Sequence, residues 1–213
     1  MPATPQPPDP TPDVEPDHYF TAEPASAAER RTLDVRLAGR DVTVHTAAGV
    51  FSAGRLDLGT QVLLRTVPVP PATGTLLDLG CGWGPLALTM GLQAPGARVW
   101  AVDVNRRAVD LVARTARGLE LTGITATTPQ DVPADLRFDV IWSNPPIRIG
   151  KPELHELLRH WLGRLAPGGT AWLVVQRNLG ADSLQRWIVE ELGLRVERAA
   201  SAKGFRVLAV TPA

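Results

Sequence analysis

The stretch Asp78-Leu79-Gly80-Cys81-Gly82-Trp83-Gly84 decides the fold, because it follows a short apolar segment at Thr75–Leu79 and precedes a predicted helix that begins at Pro85. Glycines at such a turn let the backbone bend tightly and let a ligand approach it closely. The spacing is G-x-G-x-G, not the G-x-G-x-x-G of dinucleotide-binding folds, and the G-K-[ST] ending of triphosphate loops does not follow. Taken alone, the stretch predicts either a ligand-binding turn or a plain strand-to-helix turn.

Outward from this turn, predicted strands and helices alternate. The predicted strands are 75–79, 98–102, 124–127, 138–143, 170–175, 194–199 and 205–210, and the predicted helices are 85–92, 106–121, 153–165 and 183–192. Such alternation is typical of a mainly parallel sheet with helices on both faces. The last two strands face each other across 201–204, which predicts an antiparallel edge strand. We therefore expect a Rossmann-like, doubly wound α/β fold.

The N-terminal part of the chain has a different pattern. Residues 1–17 contain seven prolines and almost no large apolar side chains, which predicts a disordered tail. Apolar alternation at 33–37 and 42–44, with a turn at 38–40, predicts a small β-hairpin. We expect one domain over 18–213, made of a hairpin-and-helix extension at 18–72 and a catalytic core at 73–213.

A second signal is Asp103, which ends the strand at 98–102, nineteen residues after Gly84. An acid at this end of the second strand of a doubly wound fold can accept both ribose hydroxyls of a nucleoside ligand. The alternative is that Asp103 caps the following helix, since Asp is a favoured N-cap residue. Asp131 follows the third strand, where it can meet an adenine amino group or serve as an ordinary loop residue.

A third signal is Asn144-Pro145-Pro146, at the end of the fourth strand. Two prolines fix φ twice and remove two backbone donors, so we expect rigidly aimed carbonyl oxygens left without partners. The Asn144 side-chain oxygen and the Pro145 carbonyl could then grip an –NH2 group, and its lone pair would face a methyl donor. That is catalysis by positioning. A simple loop start is the alternative.

These features resemble the motifs of class I S-adenosylmethionine-dependent methyltransferases. More narrowly, four segments resemble the "methyltransferase small" family, which includes 16S ribosomal RNA guanine-N2 methyltransferases and single-domain relatives. The segments are Gly49-Val50-Phe51-Ser52, Leu56-Asp57-Leu58-Gly59-Thr60, Asn144-Pro145-Pro146-Ile147-Arg148-Ile149-Gly150-Lys151 and Lys203-Gly204-Phe205-Arg206-Val207-Leu208. The resemblance covers about 18–210. It implies a seven-stranded sheet with the last strand antiparallel, S-adenosylmethionine as methyl donor with S-adenosylhomocysteine as product, and a guanine N2 of small-subunit ribosomal RNA as acceptor.

The expected site follows from these motifs. Catalytic residues are Asn144, Pro145 and Pro146. Residues expected to bind the cofactor are Asp78, Gly80, Cys81, Gly82, Gly84, Asp103, Val104, Asp131 and Asn144. Residues expected to meet the acceptor are Phe51, Ile147, Arg148 and Lys151, the last two as contacts to RNA phosphates or as solvated charges.

Two departures from the family pattern affect the acceptor. Amino-methyltransferases often place an aromatic residue after the two prolines to stack on the target base, and here the residue is Ile147. Stacking is worth about 1–3 kcal/mol per base, so another group is needed, with Phe51, Tyr19 or Phe20 as candidates. Larger members of the family also have an additional N-terminal domain for substrate recognition. The alternative acceptor is a small amine or a protein glutamine amide, although enzymes that act on glutamine place Tyr after the two prolines where this chain has Ile147. A non-catalytic cofactor-binding module or a nicotinamide oxidoreductase fits less well.

Composition excludes several other classes. Twenty-two basic and twenty-two acidic residues give no net charge, so bulk electrostatics do not indicate a nucleic-acid binder. The single cysteine, Cys81, excludes an internal disulfide and a cysteine-cluster metal site. The spacing of His155 and His160 is five residues, not the four that align ligands on a helix, so we expect no metal. No long apolar run or signal-peptide pattern occurs, and we expect a cytoplasmic protein with no membrane contact.

Overall fold

The structure, a computed structural model, describes residues 30–213. The predicted tail at 1–17 and the stacking candidates Tyr19 and Phe20 lie outside the described residues. The strands are β1 (Arg30–Leu37), β2 (Arg40–Ala47), β3 (Thr75–Leu79), β4 (Arg98–Val102), β5 (Ile124–Thr127), β6 (Phe138–Ser143), β7 (Leu165–Gln176), β8 (Arg195–Ala202) and β9 (Phe205–Thr211). The helices are α1 (Leu58–Thr66), α2 (Pro85–Gln93), α3 (Arg106–Gly118), α4 (Lys151–Leu162) and α5 (Ala181–Leu192).

Seven strands form one sheet in the order β5-β4-β3-β6-β7-β9-β8. The first five run parallel, while β9 lies antiparallel to both β7 and the edge strand β8. The order reverses between β3 and β6, and in open α/β sheets a crevice forms at such a switch point, beyond the carboxyl ends of the strands. The predicted seven-stranded, mostly parallel fold with an antiparallel edge is confirmed.

The sheet is buried on both faces because its strands alternate side chains between two clusters. Leu77 and Leu79 face a core formed with α4 and α5, while Leu76, directly before Leu77, faces a core formed with α1 and α2. The same alternation recurs in β7, where Leu173 and Val175 face α4 and α5. A period of two with both faces apolar is what a parallel sheet requires.

The N-terminal hairpin forms a separate two-stranded sheet that packs against α3. Its turn lies at Ala38 and Gly39, as the alternation predicted. Leu37 and Val44 of the hairpin are buried with Trp83 of the glycine-rich turn and Leu111 of α3. The hairpin therefore extends the core and contacts the segment that decides the fold.

Differences from the predicted elements lie at turns and ends. Strand β7 begins at Leu165, where the sequence predicted the end of a helix, because Leu165 pairs with Phe138 before a register shift in the ladder. Three 3-10 turns, at Pro129–Asp131, Ile147–Ile149 and Arg177–Leu179, were not predicted. Within residues 30–213, no helix is long and apolar enough to cross a membrane.

Candidate active site

An open cavity lies at the carboxyl ends of β3, β4 and β6, at the switch point of the sheet. It is continuous with an inner recess, since both are lined by Gly80, Gly82 and Asn144. The cavity thus joins the glycine-rich turn after β3, the acid after β4 and the Asn-Pro-Pro turn after β6. These three predicted features converge although they are far apart in sequence.

The glycine-rich turn is folded against the neighbouring strand. The N–H groups of Gly80 and Cys81 donate to the Val102 carbonyl oxygen at 2.8 and 3.1 Å. Gly84 begins α2 with φ of +93°, and a Cβ there would lie 2.8 Å from Val112 Cγ2. Gly84 is therefore required by close packing of helix on helix, and it does not line the cavity.

Asp103 lines the cavity beside the glycine-rich turn. Its Oδ2 accepts the Gly82 N–H at 2.8 Å, and its Oδ1 accepts the Asn105 N–H at 2.9 Å. Burial raises the pKa of Asp103, and the backbone donors oppose that shift. The N-cap of α3 is Asn105, not Asp103, so the capping alternative is wrong. Asp103 lines the cavity, where its carboxylate oxygens can accept further hydrogen bonds.

Asp78 lies at the floor of the inner recess and is fully buried. Its Oδ2 accepts the Ala87 N–H at 2.8 Å, whereas its Oδ1 is buried with no hydrogen-bond partner among the described residues. Burial raises the pKa of Asp78 to about 8, and the nearby Asp103 adds to the shift. A cation in the recess would stabilise the ionised form of such an acid.

The segment 48–52 is fixed across the mouth of this recess by three hydrogen bonds. Asn105 Nδ2 donates to the Gly49 carbonyl at 2.8 Å, Arg107 Nη1 to the Ala48 carbonyl at 2.6 Å, and Trp83 Nε1 to the Ser52 carbonyl at 3.2 Å. Phe51 is thereby placed on the cavity wall, partly exposed. The segment that resembled the family motif is thus a wall of the site.

The Asn-Pro-Pro turn forms the opposite wall. Asn144 Nδ2 donates to Asp57 Oδ2 at 2.8 Å and to Thr60 Oγ1 at 3.1 Å. The Pro145 carbonyl accepts the Ile147 N–H at 2.8 Å, and the Pro146 carbonyl accepts the Ile149 N–H at 3.2 Å. The expectation that these carbonyls lack partners is wrong, because the 3-10 turn supplies donors. A carbonyl has two lone pairs, so each retains capacity for one more donor.

Apolar side chains line the end of the cavity beside the Asn-Pro-Pro turn. Ile147 lies there with Leu179, from the turn after β7, and Phe205, the first residue of β9. Gly59 of α1 packs directly beneath Phe205, since a Cβ at Gly59 would lie 2.9 Å from Phe205 Cε1. Sequence reasoning did not place Leu179, Phe205 or Gln176 in the site. For Phe205 the signal available was the family-like segment at 203–208, which was used only to recognise the family resemblance.

Some predicted residues do not reach the cavity. Asp131 is exposed and accepts a hydrogen bond from the Thr128 hydroxyl, while Pro129 lines the cavity in its place. Lys151 is exposed at the first position of α4, and Arg148 lines the cavity mouth. Val104 and Cys81 line the cavity and the recess respectively. Roles for Asp131 and Lys151 stay predictions. No group of three or more metal-ligating side chains occurs within 30–213.

The residues present fit S-adenosylmethionine. The partnerless oxygen of Asp78 suits a recess that receives an ammonium group, and Asp103 at the end of β4 suits a pair of hydroxyls. Val104, Ala108 and Pro129 offer an apolar surface to a flat ring. Fold and site together define an S-adenosylmethionine-dependent methyltransferase.

Comparisons with known proteins give the family. The family described as "Methyltransferase small domain" matches residues 41–209, and this chain belongs to it. The chain is 30% identical over 195 residues to the protein YbxB of Bacillus subtilis (strain 168), covering 90% of this chain and 96% of that protein. It is 39% identical over 154 residues to "Ribosomal RNA small subunit methyltransferase C" of Hahella chejuensis, covering 70% of this chain and 43% of that one.

Among solved structures, the chain is similar to the T. thermophilus 16S rRNA N2 G1207 methyltransferase (RsmC), in a complex with AdoMet and guanosine. The TM-score is 0.75 and the sequence identity 26%, and the match covers 89% of this chain and 52% of that one. The chain thus spans about half or less of the length of these two ribosomal RNA methyltransferases. The family and the cofactor follow from these similarities.

Proposed function

We propose that this protein transfers a methyl group from S-adenosylmethionine to an exocyclic amino nitrogen, namely guanine N2 of small-subunit ribosomal RNA. The observation that supports an amino acceptor most directly is the orientation of the Asn144 amide. Its nitrogen donates to Asp57 and Thr60, and its oxygen pairs with no donor within 30–213. An amide oxygen held at a cavity wall is an acceptor for an –NH2 group.

When bound, S-adenosylmethionine supplies an electrophilic methyl group on a sulfonium. The chain's own residues bind the methyl donor and the acceptor, orient them, and exclude water from between them. Asn144 Oδ1 and the second lone pair of the Pro145 carbonyl each accept a hydrogen bond from one amino N–H, which turns the nitrogen lone pair away from the wall. With this group bound, the new N–C bond would form as the C–S bond broke, the electron pair would stay on sulfur, and the methylated nitrogen would lose one proton to solvent as the product leaves. No covalent enzyme intermediate is needed.

Guanine in ribosomal RNA is supported by the names of the relatives and by the apolar end of the cavity beside the Asn-Pro-Pro turn, which we take as the acceptor end. Ile147, Leu179 and Phe205 offer a surface on which a planar base can pack, which compensates for the absence of an aromatic residue after the prolines. Arg148 lines the cavity mouth, and a guanidinium there could contact a backbone phosphate. This reaction belongs in the cytoplasm, where ribosomal subunits are assembled.

The test is transfer of tritiated methyl to 30S subunits, 50S subunits, naked 16S rRNA, protein extract and small amines in parallel. We expect label in the small-subunit RNA, recovered as N2-methylguanine after nuclease digestion. Label found only in protein or small amines would overturn the RNA acceptor, and label on a ring nitrogen or carbon would overturn the amino acceptor.

The matched variant is Asn144→Ala, which removes the amide that faces the acceptor. We expect a loss of turnover of about 10²–10³-fold, by analogy with the loss of one positioned polar contact to a reacting group, with S-adenosylhomocysteine affinity unchanged by calorimetry. Gln93→Ala removes an exposed amide at the end of α2 and is the control. Undiminished turnover in Asn144→Ala would contradict the mechanism.

A further inference from the structure

Asp57 and Thr60 contact the Asn144 amide from the first turn of α1, 87 and 84 residues away in sequence. A carboxylate can only accept hydrogen bonds, so the group at 2.8 Å from Asp57 Oδ2 must be the Asn144 nitrogen and not its oxygen. The second amide proton has an acceptor in Thr60 Oγ1 at 3.1 Å. Both protons are therefore directed towards α1, which leaves the oxygen as the free end of the amide.

Asp57 is itself held in place by the helix that it begins. Its Oδ2 accepts the Thr60 N–H at 3.1 Å as the N-cap of α1, and the helix N-terminus favours a negative charge there. Gly59 in the same turn is buried against Phe205. One helical turn thus contacts both the residue that grips the amino group and the ring at the acceptor end.

We propose that Asp57 and Thr60 are positioning residues for methyl transfer, which hold the Asn144 amide with its oxygen towards the acceptor amino group. The inference rests on the proposed function. The amide cannot rotate without losing both bonds, so the acceptor nitrogen meets an oxygen that is already aimed. The Asp57 carboxylate also polarises the amide, and its charge lies on the side of the site where the methylated nitrogen becomes positive.

Two variants at Asp57 separate positioning from helix capping. Asp57→Ser keeps a good N-cap but is too short to reach Asn144, whereas Asp57→Asn keeps both the cap and a neutral acceptor oxygen. We expect kcat to fall about 10–100-fold in Asp57→Ser, as for a small misplacement of a reacting group, and less in Asp57→Asn. The acceptor KM and the affinity for S-adenosylhomocysteine stay at wild-type values. Glu190→Gln, which removes an exposed charge on α5, is the control.

A double-mutant cycle gives the second readout. If Asp57 acts through Asn144, then Asp57→Ser adds no further loss of kcat in the Asn144→Ala background. Equal losses in both backgrounds, or a fall in melting temperature that accounts for the lost activity, would overturn the positioning role in favour of a purely structural one.

A third measurement is independent of activity. In the full chain labelled with nitrogen-15, the Asn144 side-chain amide signal is assigned by its disappearance in Asn144→Ala. We expect it to shift in Asp57→Ser and in Thr60→Val. An unmoved signal would overturn the inference while leaving the proposed function intact. A wild type that shows the contact but methylates no amino acceptor would instead overturn the proposed function.

Discussion

The two halves of the cavity are built in different ways. On the cofactor side, defined by Asp78, the turn Gly80–Gly82 and Asp103, carboxylates accept backbone N–H groups 9 and 21 residues away in sequence. On the acceptor side, defined by Asp57, Asn144, Ile147, Leu179 and Phe205, side chains contact side chains up to 87 residues apart. Any sequence that folds this way supplies these backbone donors, so the hydrogen bonds on the cofactor side tolerate changes of neighbouring side chains. The acceptor side depends on the identity of each side chain and is where specificity can change.

The largest effect that would sharpen this comparison is at Asp103. Asp103→Ala removes the carboxylate that accepts the Gly82 N–H, which is also the group expected to accept the cofactor hydroxyls. We expect S-adenosylhomocysteine to bind about 10–100-fold more weakly, since hydrogen bonds to charged groups contribute about 1.5–3 kcal/mol. Calorimetry measures this, and the acceptor KM at saturating cofactor is expected to remain unchanged. Wild-type affinity in Asp103→Ala would mean that the cofactor side is assigned to the wrong wall.

A smaller effect is expected at Phe205, on the acceptor side. Phe205→Ala removes a ring that packs over Gly59 and lines the cavity, so we expect the acceptor KM to rise about 10-fold, at the low end of base-stacking energies. Phe205→Tyr, which keeps the ring, is the matched control. Steady-state kinetics with varied RNA give the value, and calorimetry should show no change in cofactor affinity. A change in cofactor affinity with an unchanged acceptor KM would show that Phe205 belongs to the cofactor side and that the two sides are wrongly divided.

The last prediction concerns pH and the buried Asp78. Burial raises the pKa of Asp78 from 3.8 to about 8, so the folded protein holds a proton there that the unfolded chain releases above about pH 4. This protonation adds to the free energy of unfolding. The contribution is complete below about pH 4 and is lost as pH rises towards 8. We expect the melting temperature of the cofactor-free protein to fall over that interval, and to fall less steeply in Asp78→Asn.

Cofactor binding provides the complementary measurement for Asp78. An ammonium group in the recess favours the ionised acid, so the wild-type affinity for S-adenosylhomocysteine should rise with pH towards 8, by at most about tenfold per unit. The Asp78→Asn variant should show a flatter dependence. Identical pH profiles in both proteins would mean that Asp78 does not meet the cofactor cation.

Sequence reasoning predicted the cofactor side better than the acceptor side, for a physical reason. The glycine-rich turn and Asp103 are recognisable because backbone geometry at a strand-to-helix turn limits which residues can occupy it. Asp57 and Phe205 were present in quoted family-like segments, but nothing local indicated that their side chains meet Asn144 and the cavity. The carbonyls of the two prolines were expected to lack partners, and only the 3-10 turn revealed their donors.

By itself, the sequence determined the alternation of strands and helices and the three motifs that follow β3, β4 and β6, because periodicity and turn chemistry act over a few residues. Only the tertiary structure decided which groups face those segments. Helix α1 had to pack beside β7 and β9 before Asp57 could reach Asn144 and before Gly59 could lie beneath Phe205. Such contacts depend on packing between elements that are distant in the chain, and no local pattern records them.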